Sequence, residues 1–208
     1  MIPIDIALGF FGISVVLGMA PGPDNIFVLT QSALKGRLAG FIVTLGLCSG
    51  IIIHTTAVAF GVAALFQASQ FAFVALKVIG AIYLLYLAWQ AFRASSQEVA
   101  FSGTQRPEYG KLYRRGFIMN ITNPKVSIFF LAFLPQFADP SRGPLPPQML
   151  LLGLLFIAST IVVFGSIALL AGTLGEKFAS SPRAQLILNR VAGTVFTALA
   201  IKLAAAER

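Results

Sequence analysis

The sequence predicts an all-α membrane protein. It is expected to form one transmembrane domain, residues 1–208, with six helices in two inverted three-helix repeats and helices 1 and 4 broken at proline motifs. Three observations predict this. Hydrophobic residues make up 57% of the chain and charged residues 11%, against about 25% charged in soluble domains. The apolar residues gather into six runs, each near or above the ~20 residues that cross a bilayer core. Two of these runs, one in each half, carry proline motifs followed by similar residues.

The first run extends from about Ile4 to Ala33. Its start, MIPIDIALGFFG, lacks the basic stretch of a cleaved signal peptide and is read as a retained helix. In its middle stands GMAPGPDNIFVL. Proline removes a backbone donor and clashes with the preceding turn. In lipid, the carbonyl so freed needs a partner from protein or water. Pro21 and Pro23 on either side of Gly22 therefore predict a helix break facing a cavity. The plainer reading, a packing kink, needs only one proline.

After the weak separator GRLAG, the second run extends from Leu38 to Phe66. It holds GLCSG, Gly46 to Gly50, a GxxxG pattern common at helix contacts. The pattern allows a homo-oligomer without requiring one. Cys48 is the single cysteine and His54 the single histidine. This excludes an intrachain disulfide and leaves no expected metal cluster. His54 is read either as a proton relay or as a hydrogen-bonded structural residue. The turn QASQ precedes the third run, Phe71 to Phe92. There Lys77 suits the outer interface and Trp89 the inner one, while Tyr83 and Tyr86 line a cavity or pack.

The longest polar stretch, Arg93 to Arg115, divides repeat 1 (about 1–92) from repeat 2 (about 116–208). The fourth run, Gly116 to Phe137, contains NITNPK, where Pro124 predicts a second break. ADPSRGPLPPQ separates it from the fifth, Met149 to Leu174, and GEKFASSPRAQ precedes the sixth, Leu186 to Ala206.

Lys and Arg in short loops set the orientation. Six spans place Lys35, Arg37, Arg93, Arg106, Lys111, Arg114, Arg115, Lys177 and Arg183 on one side. The other side holds Arg142, Arg208 and, near the last helix end, Lys202. The first group is therefore expected in the cytoplasm, with residues 93–115 as a cytoplasmic loop and both termini outside. The net charge of +8 then reflects basic loops. Nucleic acid is not an expected partner, because no basic aromatic stripe accompanies the charge.

The halves align at two anchors. PGPDNIFVL lies over TNPKVSIFF when Pro23 is matched to Pro124, and LKVIGAIYL lies over NRVAGTVFT when Gly80 is matched to Gly193. Lys77 and Arg190 stand three residues before the two glycines. The anchors are 57 residues apart in the first half and 69 in the second, a difference that longer loops absorb. Three spans per half is an odd number, so the repeats must be inverted, as in many secondary transporters.

The breaks also hold the chemistry. Each opens a half-helix N-terminus, whose unpaired N–H groups attract an anion such as a substrate carboxylate. Asp24 and Asn25 begin the first half-helix and Lys125 the second. Each charge would cost about 2.5–3.5 kcal/mol at a helix centre, which pairing across the repeat would offset. Two readings stand here: a structural ion pair locking two helices, or a switchable pair in which substrate or a proton competes for Asp24. Asn120 and Asn123 either hydrogen-bond a substrate or repair the break. No Ser/His/Asp constellation or cofactor motif points to an enzyme.

At GPDN, Gly22 to Asn25, and NITNPK, Asn120 to Lys125, the chain resembles the LysE/RhtB family of bacterial amino-acid exporters. The likeness extends to its length and six segments. The resemblance implies a multi-pass inner-membrane exporter of amino acids working by proton antiport; the loop charges then put both termini in the periplasm, and the inverted halves suggest alternating access. It also implies roles for the Asp24 and Lys125 regions, with an amino acid, protons and the lipid bilayer as partners. Small neutral substrates (homoserine, threonine, leucine-like) fit better than lysine, since Asp24 is the one evident buried acid and Lys125 offsets it. The alternative within the same superfamily is an exporter of cations or toxic metabolites, against which the scarcity of buried acids counts.

Overall fold

Prolines and glycines set where the helices stop. The computed structural model of the chain describes residues 2–20, 22–62, 70–94, 107–171 and 182–205, and every regular element among them is helical. Helix α1 (Ile4–Met19) ends just before the APGP stretch. Helix α2 (Pro23–Lys35) begins with Pro23 in its first turn, where a missing N–H does no harm. Gly36 alone joins α2 to α3 (Arg37–Ala57), at φ +84°, a conformation that favours glycine. A π turn, Val58–Val62, extends α3. Helix α4 is Gln70–Arg93 and α5 is Tyr109–Thr122. Helix α6 (Pro124–Ile128) again starts at a proline and continues through a π turn, Phe129–Phe133, and a 3-10 turn, Leu134–Phe137. The long helices α7 (Leu145–Leu170) and α8 (Pro182–Ala205) complete the chain. Pro21, Arg106, Lys177, Arg208 and most of the QASQ turn lie outside the described residues.

The polar stretch 93–115 needs one correction. Its last seven residues are helical, because α5 begins at Tyr109. The reason is amphipathicity. Leu112 is buried in a small core with Val43, Leu47 and Phe164, while Lys111, Arg114 and Arg115 face outward.

Both expected bends are present. The axes of α1 and α2 differ by 67°, and those of α5 and the Pro124–Phe137 segment by 50°. Arg37–Gly61, Leu145–Leu170 and Gln185–Ala205 are each long and apolar enough to cross a membrane, and up to five spans result if each bent pair counts as one. The expected six spans exceed that count; α4, with 24 residues, stands outside it. Phe71, Ile79 and Ile82 on α4, Leu154 and Ile161 on α7, and Ile187 and Ile201 on α8 are exposed. Such faces suit acyl chains, as a multi-pass membrane protein requires.

Inside, α3 packs on α5 and on α7, α1 on α7, and α4 on α8. The α3–α5 crossing is close because small residues meet backbone. A Cβ on Gly46 would strike the Tyr113 carbonyl, and one on Gly116 would strike the Val43 carbonyl. Small residues at such contacts let membrane helices approach. The main core is aromatic: Phe10 of α1 lies 5.0 Å, centroid to centroid, from Phe137, and Phe130 lies 4.9 Å from Phe156 of α7. These edge-on contacts seat the Pro124–Phe137 segment between α1 and α7.

The connection into α7 is closed by Gln148, which accepts from the Asp139 N–H and donates to the Asp139 and Gly143 carbonyls. Hydrogen bonds from the Ser141 hydroxyl and N–H, and Arg142 alongside, hold the Asp139 carboxyl below its usual value of 3.8.

Gly46→Val is expected to cost about 1–3 kcal/mol by overpacking and to lower the melting temperature in detergent. Gly9→Val, with nothing within 4 Å of its Cβ, serves as the control. Equal melting of the two variants would contradict the close crossing.

Candidate functional site

The two breaks lie against each other, and each supplies what the other lacks. Normally the residue four positions on donates to each helical carbonyl. Proline at 21 leaves Leu17 without that donor, and the end of α1 also exposes the Gly18 and Ala20 carbonyls. Lys125 fills two of these gaps from the other half of the chain: its Nζ donates to the Leu17 carbonyl at 3.3 Å and to the Ala20 carbonyl at 3.2 Å. Asn25 fills the third, its Nδ2 donating to the Gly18 carbonyl at 2.7 Å. Gly22 makes the approach feasible, for a Cβ there would lie 3.3 Å from Lys125 Nζ.

The second break is repaired in the same way. Proline at 124 leaves the Asn120 carbonyl without its usual donor. That carbonyl accepts from the Asn123 N–H at 3.1 Å and lies 3.3 Å from His54 Nε2. A carbonyl only accepts, so Nε2 carries the proton in this contact. Asn123 caps α6, its Oδ1 accepting from the Lys125 N–H at 3.0 Å, and Ser127 Oγ donates to the Asn123 carbonyl.

Asp24 completes the cluster. It lies in the first turn of α2, where the helix dipole favours an anion, and Lys125 lies at the C-terminal, partly negative end of α1. Asp24 is 3% exposed and Lys125 8%, so neither charge is served by water. The pair is nevertheless not in direct contact, contrary to expectation. Asn123 Nδ2 donates to Asp24 Oδ2 at 2.7 Å, and the Lys125 ammonium is held by the carbonyls that the first break leaves open. Asp24 Oδ1, Asn25 Oδ1 and Asn120 Oδ1 are buried acceptors without a partner. A buried acceptor left unmade costs about 1–3 kcal/mol, so this region suits a guest that brings donors.

All the expected site residues except Pro21, which is not described, therefore fall in or beside one polar cluster. Asn120 is tied to it mainly through its main chain; its side chain lies against Gly50. The sequence did not reveal three features: the Leu17, Gly18 and Ala20 carbonyls as acceptors, His54 as a donor to the second break, and Asn123 as the residue that holds Asp24. The prolines carry a signal for the Leu17 and Asn120 carbonyls, each four residues before Pro21 or Pro124. Nothing in the sequence alone pairs Asn123 with Asp24.

Lys125→Met should destabilise the protein by about 1–3 kcal/mol, because two buried carbonyls lose their donor. His54→Leu should cost less, since Asn123 still serves the Asn120 carbonyl. Thermal unfolding in detergent ranks the two, and a Lys125→Met variant as stable as the parent would refute the bridging role.

Comparison with known proteins gives the chain its family. A Vibrio cholerae protein described as an uncharacterized membrane protein is 32% identical over 205 residues, 98% of each chain. Homoserine/homoserine lactone efflux proteins of Salmonella typhimurium and Salmonella typhi are each 33% identical over 194 residues, 93% of this chain and of theirs. No solved structure matches. The pattern of the LysE type translocators matches residues 15–207, and the chain belongs to that family of membrane transporters.

Proposed function

We propose that this protein exports small neutral amino acids across the inner membrane by proton antiport, with six spans in two inverted repeats, both termini periplasmic, and the site between the breaks. One observation carries the reading: Asp24 is a buried carboxylate held by Asn123 through one oxygen only, beside a lysine engaged with backbone carbonyls. The free Oδ1 accepts the substrate ammonium. The substrate carboxylate then draws Lys125 from the Leu17 and Ala20 carbonyls. Those carbonyls hold the first bend, so substrate occupancy is coupled to the geometry of α1 and α2.

The same carboxylate couples the proton. A protonated Asp24 no longer attracts an ammonium, so proton and substrate occupy it in turn, and each inward proton clears the site for the next outward substrate. The relatives' names support the substrate class. Homoserine and its lactone share an amine, and an amine is what Asp24 recognises. With Asp24 as the buried acid and Lys125 close by, the site suits a zwitterion better than a dication.

The packing supports two inverted repeats. Exchanging the halves turns the α3–α5 contact into α7–α1 and maps α4–α8 and α3–α7 onto themselves, and all four contacts are present. Both matched glycines lie at close approaches, Gly80 against Ala132 and Gly193 against the Phe92 ring. Both bends begin at matched prolines.

Cells loaded with dipeptides test the proposal. Cells expressing the protein should release homoserine, threonine or leucine faster than cells without it, and an ionophore should abolish the difference. Asp24→Asn should lower the rate at least about tenfold, in keeping with loss of a charged hydrogen bond, while leaving the protein in the membrane. Unchanged efflux of every amino acid, or full activity of Asp24→Asn, would sink the proposal.

A further inference from the structure

One to three turns along α2 from Asp24, its Phe27, Gln31 and Lys35 line a pocket of about 320 Å³ with Glu108, Lys111, Leu112 and Arg115 at the start of α5. Such a volume falls at the lower end of small-ligand sites, roughly 300–1,000 Å³. We infer that this pocket is a first docking site for the outgoing zwitterionic amino acid on the cytoplasmic side, distinct from the site at the breaks. The inference rests on the proposed transport direction and names the route by which substrate reaches Asp24.

The chemistry of the lining fits that guest. Lys35, Lys111 and Arg115 supply three cations for a carboxylate, and Glu108 supplies one anion for an ammonium. Glu108 is engaged with Lys111 at 2.8 Å, leaving Lys35 and Arg115 as the principal carboxylate partners. Gln31 adds a specific feature: its Oε1 is buried without a hydrogen-bond partner, ready to accept from the ammonium or from a side-chain hydroxyl. The spacing on α2 gives the route. Asp24, Phe27, Gln31 and Lys35 follow one another at helical intervals of three and four residues, and so share one face. Phe27 is the lining residue nearest Asp24 along α2, and Arg115 covers its ring with the guanidinium carbon 4.5 Å from the centroid. A carboxylate that draws Arg115 off Phe27 uncovers the step toward Asp24.

Inside-out membrane vesicles, which present this face to the medium, provide the test, with radiolabelled homoserine and threonine as probes and an imposed proton gradient. Arg115→Gln should raise the half-saturating substrate concentration about fivefold, the upper range for one exposed charge, with the maximal rate kept within twofold. Arg115→Lys keeps the charge and loses the planar cover of Phe27; it should change the half-saturating concentration less than Arg115→Gln. Arg114→Gln removes the same charge one residue away, outside this pocket, and should leave it unchanged. Wild-type uptake with Arg115→Gln indistinguishable from Arg114→Gln would overturn the docking site and leave the exporter reading intact. Absence of uptake by wild-type vesicles would overturn both.

Discussion

A carbonyl inside a bilayer has no water to turn to, and the placement of charge in this protein follows from that constraint. Pro21 and Pro124 each delete one N–H from the middle of an apolar run. The carbonyls left behind must be met by other parts of the protein, and they are met from the other half of the chain or from a neighbouring helix. Lys125 reaches back from α6 to Leu17 and Ala20, and His54 reaches from α3 to Asn120. The breaks thus hold the halves together as well as bending them. A lysine that would be costly in lipid becomes a bridge between two helices.

That solution leaves Asp24 in an unusual position. Its favourable surroundings are the start of α2, the nearby charge of Lys125 and one amide donor from Asn123. The lysine expected to neutralise it is occupied with backbone. Had Lys125 closed directly on Asp24, a substrate would have to break a buried ion pair, at a cost of about 3–5 kcal/mol if either charge were stranded. With Lys125 on neutral carbonyls and Asp24 half-satisfied, a zwitterion can add one hydrogen bond to each. In the proposed mechanism the pair is switchable, because the interactions to be exchanged are weaker than a closed pair.

The helical class, the two breaks and the identity of the charged residues were legible because they depend on local chemistry: apolar runs, proline's missing donor, and one acid and one base at matching positions. Helix boundaries in amphipathic ground were harder. Residues Tyr109–Arg115 look like loop by charge, yet Leu112 and the backbone of Tyr113 pack on α3 and draw the segment into α5. The partners of Asp24 and Lys125 were harder still. Symmetry suggested that opposite charges at matched positions would touch. Which neighbour each one meets is decided by the 67° and 50° bends and by the competing pull of open carbonyls, and no spacing in the chain encodes those. Gln31 and Phe27 drew no attention in the sequence, and Arg115 counted only as a loop charge, for the same reason, since the pocket exists only once α2 and α5 are side by side.

The central claim is that Asp24 receives the substrate amine while Lys125 responds to its carboxylate, and ligand-induced stabilisation of the purified protein reads this without relying on transport. A ligand that binds only the folded state adds about 2.7 kcal/mol at a hundred times its dissociation constant, enough to move a melting curve. Homoserine should raise the melting temperature of the wild-type protein in detergent and leave that of Asp24→Asn unmoved. An equal upward shift in both would show that the amine is held elsewhere and would contradict the account.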